Sequence, residues 1–320
     1  MKISVVCPVY NESNYIAAVL DFFTKAAPAE KELWIIDGGS TDNTCAIAEK
    51  WAEKHPNIHL LHNPKKYVPY ALNAAIPKCK GEVIVRLDAH TLYAPDYFEA
   101  VLKAFDKSGA EIVGGPMRAE GNSPFQKAVA YCTSTAFGIG DSSFHDETKE
   151  GFTDSVYLGA WKASIFGITG MFDEQMMRNQ DDEFHYRARS KGMSIYLDPA
   201  IRSTYFPRSN FKTLFRQYYQ YGLYKPLVLK KVRSGIRWRH LIPAGFVIYL
   251  LAIPCLWQFA GLFSLIPLLL YFLLAIRFAA RKSGAFLIKV LVYPTLHISY
   301  GLGFILGLTR QNKPINTSVQ

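Results

Sequence analysis

A stretch of 36 residues without a charged side chain, from Leu241 to Ile276, constrains the fold of this 320-residue chain more than any other feature. A helix that crosses a bilayer needs about 20 apolar residues, so the stretch is long enough for two spans. We expect the break between them at 257–261, where a tryptophan, an amide and a glycine suit a turn at the membrane surface. A third apolar segment, 286–308, contains Lys289 and His297 and is either another span or a re-entrant or interfacial segment.

The charges are divided unevenly along the chain. All 26 acidic residues lie at or before Asp198 together with 20 of the 36 basic residues, so this part is acidic overall. Residues 199–320 carry 16 basic residues and no acidic residue. Because the basic flank 202–240 directly precedes the first predicted span, we expect it on the cytoplasmic side of the membrane. The same adjacency favours a membrane partner and disfavours nucleic acid.

The cysteines and the amino terminus favour a cytosolic location for the first part of the chain. Five cysteines are scattered without a close pair, which disfavours a disulfide scaffold and fits a reducing compartment. The hydrophobic run at the amino terminus is far shorter than a signal peptide requires. We therefore predict four regions: a cytosolic domain 1–206, a basic aromatic interfacial segment 207–240, two to three transmembrane helices 241–308 and a tail 309–320.

Residues 1–115 alternate short β-branched runs with helical stretches, which predicts a parallel α/β sheet of nucleotide-binding type. The predicted strands are 3–6, 33–36, 58–61, 83–87 and 111–113, and the predicted helices lie near 14–27, 42–54, 70–79 and 95–107. No G-x-G-x-x-G motif follows the first strand, which disfavours a dinucleotide oxidoreductase. In such sheets ligands bind beyond the carboxyl ends of the strands, so the residues there are candidates for a site.

Two of these strand ends carry acidic residues. Asp37 ends the second strand and either accepts hydrogen bonds from a nucleoside or serves as a turn aspartate, whereas Asp42 is expected to cap the next helix. Asp88 and His90 follow the fourth strand, two residues apart. They either hold a divalent cation against a diphosphate or lie in a solvated turn.

A third acidic cluster comprises Asp181, Asp182 and Glu183. Adjacent carboxylates repel one another, so we expect one of them to hold a proton more tightly or to lie beside a cation, which suits a general base. The alternative is a solvated first turn of a helix, where the helix dipole favours acidic residues.

Five motifs occur together in one order: Pro8-Val9-Tyr10-Asn11-Glu12, Asp37-Gly38-Gly39-Ser40-Thr41-Asp42, Ala71-Leu72-Asn73 with Gly81-Glu82, Leu87-Asp88-Ala89-His90, and Gln180-Asp181-Asp182-Glu183 with Arg187. This combination resembles the inverting GT-A, family-two glycosyltransferases over about residues 1–230. The D-A-H variant, the segment 154–161, Pro207-Arg208 and the membrane tail are similar to the succinoglycan-biosynthesis glucosyltransferase branch. The resemblance implies an α/β GT-A fold, a Rossmann-like nucleotide-binding mixed sheet, with a carboxy-terminal transmembrane helical region.

The resemblance also implies roles for individual residues. Asp181 would be the catalytic base that deprotonates the acceptor hydroxyl, and Asp88 would hold Mn²⁺ or Mg²⁺ with His90 as a second ligand or a phosphate contact. The residues expected to bind the nucleotide sugar are Pro8, Tyr10, Glu12, Asp37, Asn73 and Asp88. Weaker candidates for acceptor binding are Trp161, Asp182 and Arg187, although core packing is an equal expectation for Trp161.

The chain departs from the family pattern at four places, one of which is His90 in place of the last acidic residue of the common D-x-D motif. Gly38 stands where a second aspartate is common, so recognition of the base would rest on Asp37 alone. Gln180 replaces the glutamate that usually precedes the catalytic base. No Q-x-x-R-W motif is present, which argues against a processive synthase and for the addition of one sugar.

Together these features predict a multi-pass enzyme of the inner (plasma) membrane with a cytoplasmic catalytic domain. It would transfer a hexose, with UDP-glucose favoured by the resemblance, to a lipid-linked saccharide in exopolysaccharide or cell-surface glycan synthesis. The basic segment would lie along the anionic membrane surface and attract a lipid-diphosphate acceptor. A polyprenyl-phosphate hexose synthase and a non-catalytic membrane scaffold with a GT-A fold remain as alternatives.

Overall fold

The computed structural model describes residues 2–140, 143–232 and 237–309 of the chain. The chain divides into two compact units. The first unit comprises Met1–Arg118 and Ser143–Tyr205, and the second comprises Ala119–Ser142 and Phe206–Gln320. The predicted tail, from residue 310 onwards, and residues 233–236 of the predicted interfacial segment lie outside the described residues.

The first unit is built on an eight-stranded mixed sheet with the strand order β3-β2-β1-β4-β9-β6-β10-β8, and a small sheet with the order β5-β11-β7. The strands are β1 (Ile3–Val9), β2 (Lys31–Asp37), β3 (Ile58–His62), β4 (Val83–Arg86), β5 (Thr91–Tyr93), β6 (Ile112–Gly115), β7 (Arg118–Ala119), β8 (Gly151–Phe152), β9 (Tyr157–Lys162), β10 (Ile195–Leu197) and β11 (Ser203–Tyr205). Strands β1 to β4 pair in parallel, whereas β9 runs antiparallel between β4 and β6. The five predicted strands are confirmed as β1 to β4 and β6.

The helices follow the strands in α/β order. They are α1 (Ile16–Lys25), α2 (Thr44–Lys54), α3 (Val68–Ala75), α4 (Tyr97–Ser108), α5 (Pro124–Thr133), α6 (Ala136–Ile139), α7 (Ile165–Thr169), α8 (Gln180–Ser190), α9 (Phe211–Val232), α10 (Trp238–Ala260), α11 (Ile266–Ala280) and α12 (Phe286–Thr309). Helix α1 buries residues at positions 16, 19, 20 and 23, the spacing of one apolar helix face. The four predicted helices are confirmed as α1 to α4.

The core of the first unit occupies both faces of the mixed sheet. One cluster packs α1 and α4 against the sheet through Phe23 and Phe98, and the other packs α3 and α8 through Leu72 and Phe184. Strands β1, β2, β4 and β6 are buried along nearly their whole length. Continuous hydrophobic runs such as these are typical of parallel strands covered on both faces.

The second unit contains two helical segments that are long and apolar enough to cross a membrane, Trp238–Ala280 and Phe286–Thr309. The first segment is interrupted by a 3-10 turn at Gly261–Leu265, which begins at the last residue of the predicted break 257–261. The Tyr249 hydroxyl on α10 donates to the Ser264 carbonyl at 2.7 Å. The ring of Phe246 on α10 stacks on Tyr271 of α11 with centroids 4.3 Å apart, so α11 folds back along α10.

Lys289 and His297 of the third apolar segment form hydrogen bonds inside the second unit. Lys289 on α12 donates to the Ala279 carbonyl at the end of α11 (2.6 Å), where a helix dipole favours a cation. His297 bonds the Tyr271 hydroxyl through Nδ1 (2.7 Å) and lies 2.9 Å from the Phe137 carbonyl through Nε2. These contacts satisfy both side chains, which removes the cost of burying unpaired polar groups in an apolar helix.

Helices α9 and α12 approach each other very closely at glycines. A Cβ atom on Gly222 would lie 2.1 Å from the Tyr300 carbonyl oxygen, and one on Gly303 would lie 2.1 Å from the Tyr219 carbonyl oxygen. Real Cβ atoms essentially never approach backbone below 3.0 Å. The backbones of the basic helix α9 and the apolar helix α12 therefore pack directly against each other at these glycines.

Candidate functional site

The predicted site residues of the first unit lie at the carboxyl ends of neighbouring parallel strands. Strand β1 lies between β2 and β4, and Val9 at its end is level with Asp37 at the end of β2. The loops that follow these three strands therefore meet at one edge of the sheet. This edge is the usual ligand position in open α/β sheets.

Backbone and side-chain hydrogen bonds join the loop after β1 to the loop after β2. The Asn11 N–H donates to Ser40 Oγ (2.9 Å), and the Thr41 N–H donates to Asn11 Oδ1 (2.8 Å). The Glu12 N–H donates to Thr44 Oγ1 (2.7 Å). Asn11 has a φ of 55°, in the left-handed region that asparagine tolerates better than most residues. The two loops thus form one preorganised edge.

Asp37 organises its own loop. Its Oδ2 accepts hydrogen bonds from the Gly39 N–H (2.9 Å) and the Ser40 N–H (3.1 Å), and the residue is buried. Gly38 has little space around it, since a Cβ there would lie 3.2 Å from the Lys66 carbonyl oxygen. The turn-aspartate geometry is therefore present, and contact with a nucleoside stays a prediction.

The N-cap of α2 is Asn43, which forms no side-chain cap hydrogen bond, so the prediction that Asp42 caps this helix is wrong. Asp42 lies one residue earlier and bonds Thr44, the first residue of the helix. One of its oxygens accepts from the Thr44 N–H (3.0 Å) and the Thr44 hydroxyl (2.5 Å), and the other accepts from the Ser13 N–H (3.1 Å). The Thr44 hydroxyl bond is the largest cause that lowers the pKa of Asp42 below its ordinary value.

Glu12 and His90 form a pair across this edge of the sheet. The Glu12 Oε1 atom lies 2.9 Å from His90 Nδ1. Tyr10 lies on the same loop, with its ring 5.1 Å from Lys66 Nζ, and Pro8 lies inside β1 opposite Ile36. Three predicted nucleotide-binding residues therefore lie on or beside the loop that Asn11 holds.

Arg86 at the end of β4 contacts both the predicted metal ligand Asp88 and the predicted catalytic base Asp181. Its Nε donates to Asp88 Oδ1 at 2.9 Å, and its Nη1 lies 2.9 Å from both carboxylate oxygens of Asp181. The Arg86 side chain is 8% exposed, that of Asp88 18% and that of Asp181 37%. Burial alone would lower the pKa of Arg86, but the charges of Asp181 and Asp88 outweigh it and raise that pKa.

Sequence reasoning missed Arg86 as a functional candidate. The available signal was its position two residues before Asp88, since residues at i and i+2 of a strand point to the same face. Tyr93 was also missed: its hydroxyl accepts from the Asp88 N–H (2.7 Å) and donates to the Asp88 carbonyl (3.0 Å). Burial, followed by the nearby charge of Asp88, raises the pKa of Tyr93 and keeps that hydroxyl protonated.

The acidic cluster lies in the first turn of α8, where two arginines offset the predicted repulsion between its carboxylates. Asp181 faces Arg86, and Glu183 pairs with Arg187 through Nε–Oε1 (2.7 Å) and Nη2–Oε2 (3.0 Å). Asp182, on the same turn, is half-buried. The expectation of a neighbouring cation is thus confirmed for two of the three carboxylates.

Three predicted binding residues have structural contacts. Arg187 also donates to the carbonyls of Thr169 (2.5 Å) and Met171 (2.9 Å), so it holds the segment before α8. The Asn73 side chain forms two hydrogen bonds with the Phe172 backbone. Asn73 Nδ2 donates to the Phe172 carbonyl (2.9 Å), and the Phe172 N–H donates to Asn73 Oδ1 (3.0 Å). Trp161 is fully buried and packs in the core, which was one of its two expected roles. Its ring neighbours are Phe166, Phe172 and Phe184.

Asp88 and His90 are the predicted metal ligands. Among the described residues there is no group of three or more His, Cys, Asp or Glu that could hold a metal. Mg²⁺ at nucleotide sites is commonly held by one or two protein groups, with substrate phosphates and water completing the shell. The Glu12 carboxylate lies 2.9 Å from His90 Nδ1, and a histidine that binds a metal through one ring nitrogen usually has such an oxygen partner on the other. The two residues therefore fit a metal that binds together with a diphosphate.

The amino-acid sequence matches known proteins over most of its length. The family model "Glycosyl transferase family 2" matches residues 4–166. The chain is 30% identical over 242 residues to the succinoglycan biosynthesis protein ExoA of Rhizobium meliloti (strain 1021), covering 75% of this chain and 73% of that protein. It is 28% identical over 322 residues to the dolichyl N-acetyl-alpha-D-glucosaminyl phosphate 3-beta-D-2,3-diacetamido-2,3-dideoxy-beta-D-glucuronosyltransferase of Methanococcus voltae, covering 97% of this chain and 98% of that protein.

The fold is also similar to solved structures. The mannosyltransferase PcManGT from Pyrobaculum calidifontis, in complex with GDP-Man and Mn²⁺, matches with a TM-score of 0.60 and 19% identity. The match covers 96% of this chain and 87% of that one. The mixed sheet is thus GT-A-like, as the resemblance implied. From its sequence and its fold, the chain belongs to glycosyl transferase family 2 and is a glycosyltransferase.

Proposed function

We propose that the chain is a membrane-anchored, metal-dependent, inverting glycosyltransferase. In this proposal it transfers a hexose, glucose in the first instance, from a UDP-sugar to a lipid-linked saccharide during exopolysaccharide or cell-surface glycan synthesis. The observation that carries the proposal is the meeting of Asp88 and Asp181 on one guanidinium, at the carboxyl ends of the parallel strands. A carboxylate for the metal and a carboxylate for the proton are the two groups that this reaction needs from the protein.

On the donor side, we assign nucleotide-sugar binding to the joined loops after β1 and β2 and to Asp88. The preorganised edge offers Asp37 and Glu12 for the nucleoside, as the resemblance implies. Asp88, with His90, would hold Mn²⁺ or Mg²⁺, which when bound offsets the charge of the diphosphate and of the departing UDP. The Mn²⁺ in the PcManGT complex supports a metal of this kind at a GT-A site.

On the acceptor side, we assign the base to Asp181. More than a third of its side chain is exposed, so an acceptor hydroxyl can reach it. As the hydroxyl oxygen bonds to the anomeric carbon, the bond from that carbon to the diphosphate oxygen breaks and the hydroxyl proton passes to Asp181. Attack from the face opposite the leaving group inverts the anomeric configuration.

The second unit is proposed to anchor the enzyme as a multi-pass protein of the inner (plasma) membrane, with the first unit in the cytoplasm. The candidate spans support anchoring, and so do the exposed basic residues Lys212, Arg216 and Lys230 of α9, which would attract anionic lipid. The name of the M. voltae relative specifies a dolichyl-linked sugar phosphate, which supports a lipid-linked acceptor. That of the R. meliloti relative supports polysaccharide synthesis.

The test uses full-length protein in membranes, UDP-[¹⁴C]glucose and GDP-[¹⁴C]mannose as donors, and counts of label in the lipid extract. We expect label from UDP-glucose. Asp181→Asn should lower turnover by about 10²- to 10⁴-fold and leave UDP binding intact, which is the effect expected for loss of a general base. Asp88→Ala should abolish the Mn²⁺-dependent part of UDP binding in calorimetry. Asp21→Asn, an exposed carboxylate remote in sequence from the site motifs, is the matched control.

Each alternative has a distinct result. Label from GDP-mannose alone would replace the UDP donor, and unchanged turnover in Asp181→Asn would remove this residue from the base role. A product with one sugar on a lipid monophosphate would identify a polyprenyl-phosphate hexose synthase instead. Membership of the glycosyltransferase family disfavours the non-catalytic scaffold.

A further inference from the structure

Arg86 is a buried cation to which the proposed reaction has so far assigned no task. Arg86 is the last residue of β4, a central strand of the sheet. Its N–H groups donate to two carboxylates from different elements, Asp88 in the loop after β4 and Asp181 in helix α8. Burying a guanidinium carries a large desolvation cost, and an apolar side chain of similar size often stabilises a fold as well or better. The position of this cation therefore points to a task beyond stability.

The geometry of the contacts defines that task. Arg86 Nη1 lies 2.9 Å from both oxygens of Asp181, so the hydrogen bonds fix the position and the plane of that carboxylate. The same rigid fork binds Asp88 through Nε (2.9 Å), with Nη2 3.4 Å from the other Asp88 oxygen. A planar guanidinium can hold two carboxylates at a set spacing, whereas a lysine ammonium is a point charge on a flexible stem.

We propose that Arg86 is a positioning residue that holds the base carboxylate of Asp181 in register with the donor and metal site at Asp88. This inference rests on the proposed roles of those two carboxylates. Arg86 itself touches neither sugar. It acts through Asp181, by keeping the oxygen that accepts the acceptor proton at a fixed place relative to the anomeric carbon.

The first test replaces Arg86 by lysine, which keeps the charge and loses the fork, and by glutamine, which keeps an N–H donor. Whichever variant stays closer to the wild-type melting temperature in detergent is assayed with UDP-[¹⁴C]glucose. We expect kcat to fall about 100-fold, as for a misplacement of roughly 1 Å, while the Kd for UDP with Mn²⁺ changes less than about threefold. Arg202→Lys, the same change at the exposed Arg202–Asp96 pair, should leave both quantities unaltered.

The second test is a double-mutant cycle on kcat. Because Arg86 acts through Asp181, the Arg86 substitution should cost less than about threefold further in an Asp181→Asn background. A full additional loss in that background, or a parallel fall of kcat and UDP affinity, would identify a merely structural arginine. Wild-type kcat in the single variant would also overturn the inference, even where Asp181→Asn and Asp88→Ala behave as proposed.

A third measurement needs no donor and so separates this inference from the proposed function. Melting temperatures of the metal-free protein in EDTA are compared for the Arg86 variant, Asp181→Asn and the double variant. Residues in direct contact are expected to be non-additive, so the double variant should lose clearly less than the sum of the single losses. Additive losses would show that the two side chains do not act together, and the inference would fall whatever the donor is.

Discussion

The close approach of α9 to α12 makes Gly303→Ala a sensitive perturbation of the second unit. A Cβ at Gly303 would meet only backbone atoms of α9: the Tyr219 carbonyl oxygen at 2.1 Å, the Leu223 nitrogen at 2.9 Å and the Tyr219 carbonyl carbon at 3.0 Å. No rotamer change can relieve contacts with backbone. The helices must therefore move apart by roughly 1 Å, within the range over which side chains set interaxial distances.

The size of the effect follows from two opposing terms. Overpacking of this kind costs about 1–3 kcal/mol, and separating the helices also loosens the contacts at Gly222 and Gly307. Replacing glycine by alanine in a helix stabilises it by up to about 1 kcal/mol where space is free. Gly245 on α10 has nothing within 4 Å of the built Cβ, so Gly245→Ala isolates that favourable term. Because both substitutions gain this term, it cancels in the comparison, and the two variants should differ by the overpacking cost of about 1–3 kcal/mol.

The assay is the melting temperature of the purified full-length chain in one detergent at one scan rate. At about 2–4 °C per kcal/mol for proteins of 150–250 residues, Gly303→Ala should melt at least about 2 °C below Gly245→Ala. Equal melting temperatures for the two variants would refute the reasoning, because they would mean that no backbone lies where the structure places it.

Two further predictions concern the first unit. Asp42 binds fewer protons in the folded state than in the unfolded state, so its stabilising effect is complete above the unfolded pKa and is lost as pH falls below about 4. The difference in melting temperature between wild type and Asp42→Asn should therefore shrink in acid, and a pH-independent difference would contradict the hydrogen bonds of Asp42 with Thr44 and Ser13. Asn73→Ala removes two bonds to the Phe172 backbone and should destabilise the chain by about 1–3 kcal/mol in urea unfolding while UDP affinity stays within about threefold. Reduced UDP affinity with unchanged stability would instead support the direct nucleotide contact predicted from the sequence.

Much of the sheet could be predicted because local patterns determine it. Buried β-branched runs followed by amphipathic stretches produce β1 to β4 and α1 to α4 without help from distant residues. Strand β9 was missed because its place depends on pairing with two strands that lie far from it in sequence, at residues 83–86 and 112–115. Periodicity within Tyr157–Lys162 carries no information about that pairing or about its antiparallel direction.

The second unit shows the same limit. The apolar length of 241–276 and its break could be predicted from composition, and α10 does end at Ala260, directly before a 3-10 turn. Residues 119–140 lie within the predicted domain 1–206, and in the structure they cluster with the carboxy-terminal helices. The Tyr131 hydroxyl on α5 donates to the Phe278 carbonyl of α11 at 2.7 Å, a contact across nearly 150 residues that no local pattern encodes.

In the candidate site, the acidic residues could be predicted and their partners could not. A carboxylate at a strand end is visible in a sequence, whereas the guanidinium of Arg86 acquires its meaning only when α8 brings Asp181 to it. Arg187 illustrates the converse, since its motif position suggested acceptor binding but its donors are directed to Glu183 and to two carbonyls. Tertiary packing determines which arginine pairs with each carboxylate.

The distribution of ligands bears on the order of binding in the proposed reaction. In the proposed reaction, Asp88 and His90 would supply only two ligands, which is a weak metal site by itself. A diphosphate would supply the missing oxygens and add negative charge, so the metal and the nucleotide should enter together. Once they are bound, the charge of Asp88 would be shared between the metal and Arg86, so Arg86 would attract Asp181 more strongly while its fork keeps both carboxylates. The proposed base would then be held most firmly when the donor is in place, which links readiness for proton transfer to occupation of the donor site.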